Sequence, residues 1–273
     1  MTSNHKIGWL ATGWVLLMLT SSVTGEELQT ALQQPILKPG QAAQQHIDFV
    51  RARIPELRLP KNARQWQKEQ RRLRQQVLEN VIFRGVPDSW RKEKPAVVWL
   101  ETIRTEDGYS LRKLRVEILP GLWIPAVLYE PEQLAKRVPV VLNVNGHDRK
   151  GKATPYKQLR CINLAKRGML ALNLEWLGMG QLNTRGYSHN DLAKLDLCGT
   201  SGVSVFFLAM SRGLDVLLDH DHADPQRVAV TGLSGGGWQT IILSSLDNRV
   251  TLTVPVAGYS ALVQRLERSN SIG

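Results

Sequence analysis

Two patterns in the sequence predict a mixed α/β fold. Residues 97–131 contain three apolar or alternating runs, VVWLETI, YSLRKLRVEIL and WIPAVLYEP, separated by Asp-Gly and Pro-Gly turn signals. Such runs are typical of antiparallel strands joined by hairpins. From residue 138 onward, Val- and Leu-rich strand-like runs alternate with helix-like segments, which favours a mostly parallel sheet covered by helices on both faces. We therefore expect a three-layer α/β fold, in which the N-terminal strands of the sheet are antiparallel and the later strands are parallel.

The later elements follow one another in regular order. The predicted strands lie in VPVVLNVNG, MLALNLEW, RVAVTG and VTLTVPVAG, and the predicted helices lie near 155–167 and in SVFFLAMSRGLDVLLDH and GGWQTIILSSL. An earlier helix is predicted from Asn62, a helix-capping residue type, to about Asn80. Apolar residues recur there at helical spacing, namely Ala63, Trp66, Leu73, Val77 and Val81.

The first 25 residues have the layout of a secretory signal peptide. Lys6 precedes an apolar stretch from Ile7 to about Leu19, and small or weakly polar residues lead to a cleavage point after Gly25. An uncleaved anchor is the alternative, but the stretch is shorter than the about 20 apolar residues that a membrane span needs. We expect a secreted or periplasmic protein without stable membrane insertion. Residues 26–95 are predicted to be a tether (26–40) and a basic helical lead-in, and residues 96–273 to be the main domain.

Composition and charge are those of a soluble globular protein with one basic segment. Of the 273 residues, 42% are apolar and 22% are charged, and the net charge is +11. Residues 51–94 hold 13 Lys and Arg against 5 Asp and Glu, so +8 of that charge lies there. A nucleic-acid-binding helix is one interpretation, but an exported chain has little access to nucleic acid. A solvated helical face, packed by one stripe onto the main domain, is favoured, and no nucleic-acid partner is expected.

Cysteine and histidine usage gives no sign of a metal or cofactor. Cys161 and Cys198 are the only cysteines, so one disulfide is the most that can form. Two free thiols packed as small hydrophobes are favoured. The sequence has no CxxC or HExxH pattern, and we expect neither a metal site nor a cofactor.

The segment Gly232-Leu233-Ser234-Gly235-Gly236 is the strongest functional signal. It fits G-x-S-x-G and stands between a predicted strand and a predicted helix, the context that such a nucleophile turn requires. Glycine two residues before and after Ser234 removes side chains that would collide in a sharp turn. The N–H groups at the start of the next helix favour developing negative charge. The alternatives are a glycine-rich turn in which Ser234 only caps the helix, or a phosphate loop, for which the Gly-Lys-Ser/Thr ending is missing.

Other candidate residues follow the predicted strands. Asn145-Gly146-His147 ends VPVVLNV, where the backbone of Gly146 and His147 is expected to form an oxyanion hole with the N–H of Gly235. The alternative is that Gly146 only makes a turn and His147 faces solvent. Glu175, Trp176 and His189 are candidates for lining the pocket, and for Trp176 covering the sheet edge is an equal alternative.

These residues carry a resemblance to a known superfamily. The stretches NVNGH, RCINLAKRGMLALNLEWLGMGQL, LDLCGTSG, MSRGLDVLLDHDHADPQRVAVTGLSGGGWQT and VTLTVPVAGYS resemble the α/β-hydrolase superfamily. More narrowly, they resemble secreted bacterial acetyl xylan esterases and dienelactone-hydrolase-like esterases. The resemblance implies hydrolysis of a small-molecule or carbohydrate ester, such as an acetylated polysaccharide, through an acyl-enzyme on Ser234.

The sequence departs from that superfamily after the nucleophile. The superfamily order is Ser, then Asp or Glu, then His, but no histidine follows Ser234. We expect a C-terminally incomplete domain in which the last two strands are missing and activity is low. His189 as a substitute base is a minor alternative. Two other functions stay open: a serine peptidase of the prolyl-oligopeptidase type, and a truncated, non-catalytic hydrolase-like protein.

Overall fold

The computed structural model describes residues 24–56, 59–92, 94, 96–261 and 264. The described residues fall into two compact units, one within Met1–Pro55 and one within Glu56–Gln264. The predicted signal peptide, residues 1–25, lies outside the described residues apart from its last two. None of the helices in the described ranges is both long and apolar enough to cross a bilayer.

The smaller unit contains two described helices, α1 (Gly25–Gln33) and α2 (Gln41–Arg51). Thr24 and Glu27 form a capping box at the start of α1, in which each side chain accepts from the other residue's backbone N–H. Within the segment predicted to be a tether, residues 26–33 are helical, and the helix is begun by a Thr-x-x-Glu signal.

The larger unit begins with the basic lead-in and continues into the sheet. Its helices are α3 (Ala63–Val77), α4 (Asp88–Lys92), α5 (Pro155–Ala165), α6 (Lys194–Leu197), α7 (Val203–Leu218) and α8 (Gly235–Leu246). Its strands are β1 (Val97–Arg104), β2 (Tyr109–Leu119), β3 (Leu122–Pro131), β4 (Val138–Asn143), β5 (Leu170–Leu174), β6 (Ala223–Leu233) and β7 (Leu252–Val256). A π-turn (Leu78–Ile82) extends α3, and short 3₁₀ turns lie at Gly151–Ala153, Gly180–Leu182 and His189–Ala193.

The described strands form one mixed sheet in the order β1-β2-β3-β5-β4-β6-β7. Strands β1, β2, β3 and β5 pair antiparallel with one another in that order. Strands β5, β4, β6 and β7 pair in parallel. The predicted change from antiparallel to parallel pairing is confirmed.

Helices cover both faces of the sheet. Helix α7 is apolar on nearly every side, and Gly213 lets it approach closely, since a methyl group built there would lie 3.0 Å from the Leu142 side chain. Helix α5 lies on the opposite face, where Cys161 and Ala165 pack with Tyr129 and Ala171. This gives the three predicted layers. Because β4, β5 and β6 run parallel, their carboxyl ends meet at one edge of the sheet.

Helix α3 has the predicted solvated face. The Asn62 side chain accepts from the Gln65 N–H and caps the helix, and Arg74 Nε donates to the Ser245 carbonyl of α8 at 3.0 Å. Leu73 and Val77 are partly buried, but Trp66 and Val81 of the predicted stripe are about half exposed. The helix therefore packs over a narrower stripe than its sequence pattern indicates.

Both cysteines are free. Cys161 is buried as predicted, whereas Cys198 is exposed, so the prediction that both thiols are packed is wrong for Cys198. Burial in apolar surroundings raises the pKa of the Cys161 thiol to about 12, which leaves it inert as a nucleophile at neutral pH.

Candidate active site

Ser234 stands alone on the bend between β6 and α8. Its backbone has φ 58° and ψ −118°, a region that a residue with a Cβ rarely adopts and that stores about 1–3 kcal/mol of strain. Its N–H donates to the Val256 carbonyl at 2.8 Å, and its carbonyl accepts from the Trp238 N–H at 3.0 Å. The bend is thereby held from both sides, and the residue is exposed.

The glycines of the motif are required by close backbone approach. A methyl group built on Gly232 would lie 2.5 Å from the Gly236 carbonyl oxygen, and one built on Gly236 would lie 2.5 Å from the Val144 carbonyl oxygen. Contacts below 3 Å with backbone atoms cannot be relieved by a side-chain rotation. The steric requirement inferred from the pentapeptide is present in the structure.

The Asn145-Gly146-His147 loop packs against the same bend. A methyl group on Gly146 would lie 2.6 Å from the Leu233 carbonyl oxygen and 3.0 Å from the Gly235 nitrogen. Asn145 Nδ2 donates to Asn173 Oδ1 at 2.8 Å and to the Leu174 carbonyl at 2.6 Å. The structure thus brings the loop after β4 and the bend after β6 into direct backbone contact.

Two backbone N–H groups beside the bend have no acceptor in the part of the chain that the structure describes. Among the described residues, neither the N–H of His147 nor that of Gly235 donates a hydrogen bond. Gly235 is the first residue of α8, where N–H groups have no partner within the helix and the helix dipole is positive. These are the two donors that the sequence assigns to an oxyanion hole.

Trp176 joins the bend to two imidazoles. Its ring lies so close to Gly235 that a methyl group there would be 2.2 Å from Cη2. The His147 ring centroid is 4.3 Å from the Trp176 ring, and that of His189 is 5.0 Å away. Trp176 and His189 therefore lie beside the bend, and the Trp176 side chain is buried there.

The two imidazoles bond to each other. His147 Nε2 and His189 Nε2 are 3.1 Å apart, so one of them carries the proton. His189 Nδ1 is buried and has no partner among the described residues. The tautomers of the two rings decide which Nε2 donates.

Both imidazoles have lowered pKa values. Burial lowers the pKa of His189, and the nearby His147 lowers it further. Burial also lowers the pKa of His147, and the positive charge of Lys157 adds to this effect. Both rings favour the neutral form near pH 7, in agreement with a bond that shares a single proton.

Glu175 does not open onto the surface that Trp176 and the two imidazoles form beside the Ser234 bend. Its buried carboxylate accepts from the Lys152 N–H at 2.7 Å and from Lys152 Nζ at 3.0 Å. A methyl group on Gly151 or Gly180 would lie 2.0 or 2.3 Å from its oxygens. The residue ties the turns after β4 and β5 together, and its side chain is enclosed rather than open to a substrate.

Lys157 is a site residue that the sequence analysis missed. It is 1% exposed, and its Nζ lies 3.3 Å from the Gly146 carbonyl oxygen, to which it donates. A signal was present: the buried positions of α5 are Lys157, Cys161 and Ala165, which are four residues apart and share one helix face. A lysine on the apolar stripe of a helix is a candidate buried base or charge.

No described imidazole is hydrogen-bonded to Ser234 Oγ. His220 Nε2 contacts Glu130 Oε1 at 3.0 Å, and His222 Nδ1 contacts the Ala135 carbonyl at 2.7 Å. Both precede β6 and lie at its amino end, away from the bend. Nor do the described residues contain a group of three or more His, Cys, Asp and Glu side chains placed to hold a metal ion.

Solved structures share this fold. Methylesterase BT1017 is 21% identical with a TM-score of 0.63, and the match covers 80% of this chain and 46% of that protein. A Bacteroides fragilis protein assigned to the acetyl xylan esterases is 19% identical with a TM-score of 0.60, covering 79% of this chain and 59% of that one. Acetyl xylan esterase from Paenibacillus sp. R4 is 20% identical with a TM-score of 0.52, covering 80% and 66%. The chain thus spans about half the length of the first two proteins, and the likeness is one of fold.

Sequence comparison identifies the family. No curated protein sequence matches the chain. Residues 113–269 match the family described as Acetyl xylan esterase (AXE1), which is more than half of the 273 residues. The chain has the α/β-hydrolase fold and belongs to the acetyl xylan esterase family.

Proposed function

We propose that the chain is an exported carboxylic ester hydrolase whose nucleophile is Ser234. The observation that carries the proposal is the bend itself: an exposed serine at φ 58°, flanked by the N–H groups of Gly235 and His147, which no described residue accepts. A strained residue held beside unused donors is typical of a functional site. Family membership gives the reaction class.

The reaction follows from the positions of these groups. Ser234 Oγ attacks the ester carbonyl and loses its proton to a base, and the carbonyl oxygen becomes an oxyanion that accepts from Gly235 N–H and His147 N–H. The tetrahedral intermediate collapses as the alcohol takes a proton and leaves, giving an acyl-serine. Water then adds to the acyl group, and the carboxylic acid is released. Each preorganised donor of this kind contributes about 10²–10³ in rate.

The substrate class is inferred from the family, and the location is inferred from the predicted signal peptide. An acetylated polysaccharide or a small acetyl ester suits a member of the acetyl xylan esterase family. Export is supported by the Lys6-led apolar stretch of residues 7–19.

A second candidate is a hydrolase-like protein that binds or acylates but does not turn over. One observation favours it: Ser234 Oγ bonds to none of the described imidazoles, and His147 and His189 direct their Nε2 atoms at each other. A serine without a base is a poor nucleophile. Removal of the base leaves only the oxyanion hole and binding to accelerate the reaction.

Serine labelling separates these functions. The full chain is treated with a fluorophosphonate, the modified peptide is mapped by mass spectrometry, and 4-nitrophenol release from 4-nitrophenyl acetate is followed in parallel. Labelling confined to Ser234 and lost in S234A, with steady turnover, supports the esterase. Labelling with a single stoichiometric burst supports the second candidate. A chain that is neither labelled nor acylated contradicts the nucleophile assignment.

A further inference from the structure

We propose that Lys157 is a positioning residue that orients the His147 N–H toward the oxyanion by holding the carbonyl of Gly146. The inference rests on the proposed function, because it names the side chain that sets one of the two oxyanion donors. It stands on the place of Lys157 in the fold and on the geometry of the peptide unit between Gly146 and His147.

The burial of Lys157 requires an explanation. Lysine is almost never fully buried unless it is paired, and an ammonium in the interior is stable only when bonded to polar partners. Lys157 is 1% exposed, and its one described hydrogen bond goes to the Gly146 carbonyl at 3.3 Å. The charge of this side chain therefore lies against the backbone of the Asn145-Gly146-His147 loop.

Holding Gly146 O fixes the direction of His147 N–H. The two groups belong to one planar peptide unit, and in a trans peptide they point in opposite directions. No cis peptide bond occurs in the described part of the chain. An ammonium that binds the carbonyl on one side therefore directs the N–H to the other side, where no described residue accepts from it.

The other supports of the loop hold the preceding residue. Gln239 Nε2 donates to the Asn145 carbonyl at 2.5 Å, and the Asn145 side chain is bonded to Asn173 and Leu174. Gly146 lacks a Cβ and so rotates more freely than other residues. Asn145 therefore places the loop, whereas Lys157 is the one described side chain that restrains the peptide carrying the donor.

The ammonium also strengthens that donor. A positive charge on a carbonyl oxygen polarises the whole amide, and hydrogen bonds in series reinforce one another. The series here is Lys157 Nζ–H to Gly146 C=O, and then His147 N–H to the oxyanion. A neutral amine at the same place would orient the peptide but polarise it less.

Charged groups around Lys157 set the pH at which this effect is lost. Burial lowers the pKa of the ammonium, Asp148 and Glu175 oppose the decrease, and Arg160 adds to it. His147 faces it as well, and its own pKa is lowered partly by Lys157. The ammonium should therefore lose its proton at a lower alkaline pH than an ordinary lysine.

Acylation kinetics of the full chain test the proposal. The rate constant of fluorophosphonate labelling at Ser234 and the 4-nitrophenyl acetate burst are measured from pH 6 to 11 for wild type, K157M and the control K150M, which removes an exposed lysine of the same loop. We expect K157M to acylate about 10-fold to 100-fold more slowly with little change in half-saturation. This loss is smaller than the about 10²–10³ of a missing oxyanion donor, because the His147 N–H is still present but no longer held in place. We also expect K157M to lack the alkaline decline of wild type, and K150M to match wild type.

Amide NMR keeps the test independent of catalysis and of variant folding. Gly146-His147 is the one Gly-His pair of the sequence. In wild type labelled with ¹³C-carbonyl glycine and ¹⁵N-histidine, the carbon-detected signal of this peptide unit, which needs no amide proton, should therefore shift with an alkaline inflection that marks Lys157. Wild type that is never labelled at Ser234 but shows this inflection rejects the proposed function and keeps the Lys157 assignment. A Gly146-His147 signal that does not shift with pH, or K157M with the wild-type acylation rate and pH profile, overturns the assignment.

Discussion

At Ser234, a residue with a Cβ occupies backbone angles that suit glycine. The strain at φ 58° is tolerated because the N–H and C=O of the residue are both bonded, to Val256 and Trp238. Substitutions that remove the hydroxyl can therefore differ in stability. S234G relieves the strain, whereas S234A keeps the Cβ.

We expect S234G to be more stable than S234A by about 1–2 kcal/mol, part of the about 1–3 kcal/mol that such a conformation stores. The measurement is the free energy of unfolding in urea at constant m-value. Neither variant should react with a fluorophosphonate. An alanine variant as stable as the glycine variant would show that the bend is not strained.

The imidazole pair makes stability depend on pH. The pKa values of His147 and His189 are lowered in the folded chain, whereas in the unfolded chain they return to about 6.5. Below that pH the unfolded chain binds protons that the folded chain does not, so the free energy of unfolding falls as the solution is acidified. The slope is at most about 1.4 kcal/mol per pH unit for each such proton.

Replacing His189 should flatten this dependence. In H189Q, the glutamine amide is still able to form a hydrogen bond with His147 Nε2, but one titrating group is gone, so stability should fall less between pH 7 and pH 5. The matched control is H46Q, which removes the exposed histidine of α2 and should leave the curve parallel to wild type. Parallel curves for H189Q and wild type would contradict the assignment.

At the scale of elements, the site depends on how closely α8 approaches the loop after β4. A methyl group on Gly236 meets backbone atoms, the Val144 carbonyl oxygen at 2.5 Å and the Asn145 carbonyl carbon at 3.2 Å. The three atoms nearest to a methyl group on Gly235 all belong to the Trp176 ring. Backbone cannot move aside without displacing the loop, whereas a ring can move if space is made for it.

We therefore expect G236A to destabilise the fold by about 3 kcal/mol or more and G235A by about 1–3 kcal/mol. In the double variant G235A/W176L the shorter side chain leaves room, so the two changes should couple favourably, by more than about 0.5 kcal/mol. Thermal and urea unfolding of the four proteins measure this. Strict additivity of G235A and W176L would indicate that the ring does not limit this position.

The same elements show what local sequence predicts well. The bend at Ser234 is predictable because its need for glycine is contained in five consecutive residues. Lys157 is harder to predict, since lysine is normally exposed and its partner Gly146 lies eleven residues away on another element. Glu175 is a pocket candidate in the sequence because it follows β5, but Lys152 and two glycines enclose its carboxylate. The residues next to Glu175 in the sequence do not indicate its contact with Lys152.

At the scale of the whole molecule, alternation of strands and helices predicts the change from antiparallel to parallel pairing, but not every neighbour. Strand β5 lies between β3 and β4, an order set by crossover connections rather than by any one segment. The contact between His147 and His189 follows from that order, since it joins the loops after β4 and β5 across 42 residues. The alternation of strands and helices thus predicts that His147 and His189 lie at the carboxyl edge of the sheet, whereas their contact with each other depends on the strand order.

The edge of the sheet at β7 leads to a prediction for the chain in solution. Within the described residues β7 pairs only with β6, and its apolar side chains are open to solvent, with Leu252 60%, Val254 47% and Val256 44% exposed. An apolar strand with free N–H and C=O groups is a template for pairing with another chain.

We therefore expect the isolated chain to self-associate with rising concentration, as measured by sedimentation velocity. V254K places a charge on this edge and should keep the chain monomeric, whereas L197K, which changes an equally apolar and more exposed residue of α6, should associate like wild type. Equal association of all three proteins would show that β7 is not the contact.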